Sequence, residues 1–99
     1  MENMRFFLDT HDQANGTFPA GIKPHELEGF YESYEQACKE EGVISLKIYA
    51  GFNEGRAFCI NMAPNEEAVF NVHKKVGLPY DTITEVNSIS PSDLARLHD

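Results

Sequence analysis

The sequence predicts an α+β domain of ferredoxin-like βαββαβ topology with a four-stranded antiparallel sheet. Three observations carry the prediction. Runs with alternating or β-rich character and runs with helical periodicity follow one another as strand, helix, strand, strand, helix, strand. The two middle strands are separated by the turn-forming Asn53-Glu54-Gly55, which marks a hairpin. Each long helix carries a single apolar stripe and therefore covers one face of a sheet.

Arg5 to His11 (RFFLDTH) is rich in aromatic and large apolar residues and reads as the first strand. Asp12 to Lys23 forms a long loop with Asn15-Gly16, Pro19 and Gly21, and loops of about this length in compact domains are often functional. Pro24 opens the first helix, in which Leu27, Phe30, Tyr31, Tyr34, Ala37 and Cys38 form one stripe, and Gly42 ends it. Val43 to Ala50 and Arg56 to Ala63 are the hairpin strands, the first alternating Ile44, Leu46 and Ile48 against Ser45, Lys47 and Tyr49. Asn65 is an N-cap, and the stripe of the second helix is Ala68, Val69, Val72, His73 and Val76. Gly77 and Pro79 stop that helix, Thr82 to Val86 is the fourth strand, and Ser90-Pro91-Ser92-Asp93 opens a short terminal helix over about 91–98. One domain spans residues 1–99 with its core over about 5–87. Leu27, Phe30, Tyr34, Ile44, Leu46, Ile48, Val69 and Val72 are expected inside.

In this topology the first and third strands are neighbours, the fourth flanks the first, and both helices lie on one face. The opposite face is left open, and a second copy is the expected cover, giving a homodimer of the dimeric α+β barrel type.

Composition narrows the function. Sixteen acidic against eight basic side chains leave a net charge of −8, which repels phosphate backbones and anionic headgroups, so no nucleic acid and no membrane surface is expected as partner. Cations and small ligands remain compatible with it, as does an acidic surface that serves solubility alone. Cys38 and Cys59 lack a CxxC spacing, the N-terminal segment lacks a signal peptide's apolar stretch, and no apolar run reaches the roughly 20 residues that cross a bilayer. A cytoplasmic protein with reduced thiols is the expectation. Nucleophile-elbow, P-loop, GxGxxG and HExxH motifs are absent, so an enzyme is not indicated.

Following the chain through the fold brings His11, His25, Tyr49, His73 and Asp81 toward one edge of the sheet. Asp9 and His11 are two residues apart on one strand and share a side of it. Imidazole nitrogen beside carboxylate oxygen suits a borderline divalent ion such as nickel or zinc. Histidines at element ends also commonly cap or hydrogen-bond, and both readings stand for Asp9, His11 and His73. His25 and His98 read as surface residues, and Cys38 and Cys59 as small core residues.

The segments FFLDTH, TFP and AFCINMAPNEEAVFNVHKKVGLPYDTITEV, together covering much of residues 5–90, resemble a family of small, largely uncharacterised bacterial proteins, some of which are described as nickel-binding. The resemblance implies a ferredoxin-like fold, a dimer and divalent metal binding. Matched by motif, it implies Asp9, His11 and His73 as metal-associated, with Glu85 and Cys59 as lesser candidates. Tyr31 stands in the first helix where metal-linked relatives tend to carry a histidine.

Two functions follow as expectations. One is a non-enzymatic protein binding nickel or another divalent transition metal for storage, buffering or sensing. The other is a dimeric barrel enzyme or small-ligand carrier whose open sheet face forms a cleft lined by Phe7, Asp9, His11, Lys47, Tyr49 and Asn61, with Tyr31 as a further candidate. There Asp9 and His11 would act as an acid-base pair. A purely structural role is the third possibility.

Overall fold

Alternation along the first strand sets the architecture. Phe7, Asp9 and His11 point to one side and are buried, while Phe6, Leu8 and Thr10 point to the other and are only half-buried. The computed structural model describes residues 3–97. Its elements are β1 (Arg5–Asp12), a 3-10 turn (Gln13–Asn15), α1 (Pro24–Glu41), β2 (Ile44–Gly51), β3 (Arg56–Ala63), α2 (Glu66–Val76), β4 (Thr82–Val86) and α3 (Pro91–Leu97). The sheet order is β2-β3-β1-β4 with every neighbouring pair antiparallel, which is the ferredoxin-like arrangement.

Local signals account for the helix limits. Lys23 precedes the proline-led first turn of α1, and its amide nitrogen donates to the Glu26 carboxylate at 3.1 Å. Asn65 caps α2 by accepting from the Ala68 amide at 2.9 Å. Both helices end on a left-handed glycine, Gly42 and Gly77, whose amide returns to the last turn.

The core lies between the sheet and the two helices. Phe7 and Ala63 from the sheet meet Tyr34, Ala37 and Cys38 of α1 and Ala68, Val69 and Val72 of α2. Leu27 and Phe30 sit at its margin, half-buried. The first half of β2 departs from expectation. Ile44 is 51% and Leu46 45% exposed, and Ile48 is only half-buried. The reason is a register shift between Ser45 and Lys47: Ser45 pairs with Asn61 and Lys47 with Ile60, leaving Leu46 as an extra residue. Ile44 consequently shares the helix-free face with Met62, and Lys47 and Tyr49 share it with Ile60 and Phe58. Of Ile44, Leu46 and Ile48, it is Ile48, opposite Cys59, that faces the helices.

The helix-free face thus gathers half-buried Phe6, Leu8, Ile60, Met62 and Val86 with the more exposed Ile44, Tyr49 and Phe58. Among the described residues, no helix is long and apolar enough to cross a membrane.

Candidate metal centre

Three acid-base side chains meet in the layer between sheet and helices. β1 contributes Asp9 and His11 from successive inward positions, and α2 contributes His73 from its apolar stripe. All three are buried, at 0%, 3% and 1% exposure. One carboxylate oxygen serves both rings: Asp9 Oδ2 lies 2.7 Å from His11 Nε2 and 2.9 Å from His73 Nε2. The rings stack with centroids 5.5 Å apart and planes 20° from parallel.

Backbone carbonyls fix the tautomers. His73 Nδ1 lies 2.8 Å from the Val69 carbonyl one turn back in its helix. His11 Nδ1 lies 2.8 Å from the Pro79 carbonyl and 3.2 Å from that of Thr17. A carbonyl only accepts, so both Nδ1 atoms carry hydrogen and both Nε2 atoms are turned to Asp9. Either Nε2 then bears a proton of its own, or it presents a lone pair to a carboxylate oxygen. Three lone-pair donors converging in a dry site require a cation between them, whether protons or a metal ion.

The other oxygen of the carboxylate is also held. Asn61 Nδ2 donates to Asp9 Oδ1 at 2.8 Å, and the Tyr34 hydroxyl donates to Asn61 Oδ1 at 3.2 Å. Tyr80 closes the His73 side, its ring edge-on with centroids 5.2 Å apart. The long loop is fastened to the same site by Asp81, which accepts from Thr17 Oγ1 at 2.8 Å and from Asn15 Nδ2 at 3.2 Å. That fastening places the Thr17 carbonyl against His11.

Electrostatics follow from burial and pairing. Burial pushes the Asp9 carboxyl up, but hydrogen bonds from His11 and His73 and the charge they carry outweigh it, leaving Asp9 below the ordinary carboxylate value. Burial likewise disfavours protonated His11, and the Asp9 contact with the two carbonyls reverses this, raising His11 above its ordinary value. Burial drives the Cys59 and Tyr34 groups upward, so both stay protonated at neutral pH.

The donor set suits a metal. Asp9, His11 and His73 each offer one ligand atom, and these atoms all lie within 4.8 Å of one another. Each imidazole donates its far N–H to a carbonyl, the outer-shell arrangement that orients metal-binding histidines. Cys59 stands opposite Asp9 in the ladder and its thiol reaches that carboxylate, but it is not one of the grouped donors. Glu85 is far from them in character: it lies half-exposed on the edge strand and pairs with Arg5 at 3.2 Å. His25 is exposed at the start of α1, and His98 lies outside the described residues.

The expected open-face cleft requires correction. Phe7, Asp9, His11 and Asn61 face the helices, whereas Lys47 and Tyr49 face the opposite side, where the Lys47 ammonium sits over the Tyr49 ring at 5.6 Å. Strand alternation separates the two groups, since Asn61 and Ile60 are consecutive and cannot share a face. Tyr31, on α1, belongs with the buried side. Tyr34 was expected only as a core residue, and its link through Asn61 to Asp9 was missed. The available signal was Asn61 itself, an amide in phase with Cys59 and Ala63 at an inward strand position.

Comparison with known proteins agrees with the fold. The family model described as "Nickel responsive protein SCO4226-like" matches residues 7–86. The crystal structure of SCO4226 from Streptomyces coelicolor A3(2) is similar with a TM-score of 0.73 and 28% identity, over 86% of this chain and 99% of that one. No curated protein matches.

Proposed function

Because the chain belongs to the SCO4226-like family of nickel responsive proteins, we propose that it binds a divalent transition-metal ion, nickel in the first place, through Asp9, His11 and His73. The observation that supports this most is the convergence of two Nε2 atoms on one carboxylate oxygen, with both Nδ1 hydrogens already committed to carbonyls. A divalent ion replaces the protons that otherwise hold these donors together, and nitrogen with oxygen donors is a set that nickel accepts. Asn61 and Tyr34 orient the carboxylate, and the Val69, Pro79 and Thr17 carbonyls orient the rings. Cys59, beside the cluster, is kept as a thiol, and the role we assign to the cluster is binding, in buffering, storage or sensing. The free thiols of Cys38 and Cys59 are consistent with a reducing cytoplasm.

We also propose that the protein works as a homodimer joined through its helix-free sheet face, because that face carries a continuous set of apolar side chains from all four strands.

Calorimetric titration with nickel, on protein purified without a histidine tag, tests the metal reading. His11→Ala is expected to weaken binding at least tenfold, on the order of what loss of even an outer-shell partner does, and His25→Ala to leave it unchanged. No heat from the parent protein, or equal affinity in the two variants, would overturn it.

A further inference from the structure

Beside the acid-base cluster lies a cavity of about 130 Å³, enclosed by the long loop, the first half of α1 and the inward side of β2 and β3. Its wall is apolar throughout, although His11, Thr17, Tyr34 and Cys59 contribute to it. Each of these turns its polar atom elsewhere. His11 commits one nitrogen to Asp9 and the other to carbonyls, Thr17 Oγ1 is bonded to Asp81, the Tyr34 hydroxyl to Asn61, and the Cys59 thiol to Asp9. What the space meets is the aliphatic and aromatic surface of Ile22, Leu27, Phe30, Ile48, Ala57 and Leu78.

Such a space is unsuited to water, which needs two to four polar partners. A wholly apolar cavity of about 150 Å³ in another protein remains dry and takes up benzene, so the volume here is that of a single six-membered ring. A more open depression, bordered by Pro24 and Phe52, shares Leu27, Tyr31 and Ile48 with the cavity.

We propose that this cavity is a binding site for a small, uncharged, apolar molecule of single-ring size, distinct from the three donor groups of the metal centre and bordering that centre through His11, Thr17, Tyr34 and Cys59. The recognition is by shape and burial, and a hydroxyl on the guest finds no partner in the wall.

The test is titration of the full-length, metal-free protein with benzene and with phenol, followed by carbon–proton NMR of the methyl groups. Benzene is expected to give saturable shifts at Ile22, Leu27, Ile48, Ala57 and Leu78, with phenol binding at least fivefold more weakly. Ala57→Leu fills the cavity from the sheet, and Ile22→Trp fills it from the loop, where an unfolded variant is less of a risk. In each, benzene shifts are expected to vanish while nickel still binds. Failure to saturate at the solubility limit of benzene, tighter binding of phenol, shifts centred on the helix-free face, or undiminished benzene binding in a folded Ile22→Trp variant would each overturn the proposal.

Discussion

At the scale of residues, the proposed metal binding sets protons and a metal in competition for the same nitrogen atoms. The signs can be worked out for the metal-free protein. Asp9 has a lowered value in the fold, so its stabilising contribution is present above the ordinary 3.8 and is lost as pH falls through the lower folded value. His11 has a raised value, so its contribution is complete below the ordinary 6.5 and is lost as pH rises through the higher folded value. Metal affinity runs the other way, because the nitrogen must give up its proton before it can ligate. Thermal unfolding between pH 6 and 9 is therefore expected to show the melting point falling with pH in the presence of chelator, while the increment added by nickel grows. An increment that stays flat over this range would show that His11 is not a ligand. The three clustered residues were legible in the sequence as residue types: a carboxylate and a histidine two apart on a strand, and a histidine in phase with a helix stripe. Their side was not legible with equal ease, since Asp9 and His11 are polar residues on the core side of β1. Phe7, one alternation earlier, was the clue that this side is the interior.

At the scale of elements, the hairpin and the long loop hold each other. The Gln13 amide donates to the Gly55 carbonyl at 2.8 Å, and Gly55 is itself buried with φ near +70°. A side chain at 55 meets two obstacles, a left-handed backbone and the Gln13 side chain lying against the α-carbon. Gly55→Ala is expected to destabilise the protein by about 1–2 kcal/mol in chemical denaturation. Removing the obstruction with Gln13→Ala should recover part of the loss and leave the backbone part, so that the double variant lies between the parent and Gly55→Ala. A double variant no better than Gly55→Ala would show that crowding contributes nothing. Element order and limits could be read from the sequence because caps, breakers and stripes are local signals: Asn65, Gly42, Gly77 and the 24–41 stripe all act as read. The bulge in β2 could not, because Ile44-Ser45-Leu46-Lys47-Ile48 alternates without interruption, and only pairing with β3 reveals that Leu46 is surplus.

At the scale of the whole molecule, the shape is one sheet with a single layer of helices. Its radius of gyration of 14.8 Å exceeds the roughly 13 Å of a compact chain this long. The extents of 48 × 33 × 22 Å describe a slab with one apolar broad side, and α3, which carries exposed Leu94, lies away from the main packing. The proposed dimer follows from that slab. Light scattering at micromolar concentration is expected to give twice the 11.2 kDa chain mass, and Phe58→Lys, at the middle of the helix-free face, is expected to give the single mass with nickel binding retained. A parent protein at 11.2 kDa would refute the pairing. The topology was readable because six elements of this order admit few arrangements.

The depth of the metal centre carries a kinetic consequence. With all three donor residues at 3% exposure or less, and with the roof of α2 and Tyr80 on one side and the Asp81-fastened loop on the other, the proposed metal binding requires the loop or helix to lift before an ion can reach the donors. Uptake is then limited by the lifting itself: its rate rises with metal concentration at first and levels off at the opening rate. Departure obeys the same limit, so a chelator strips the ion at a pace that does not depend on how much chelator is added.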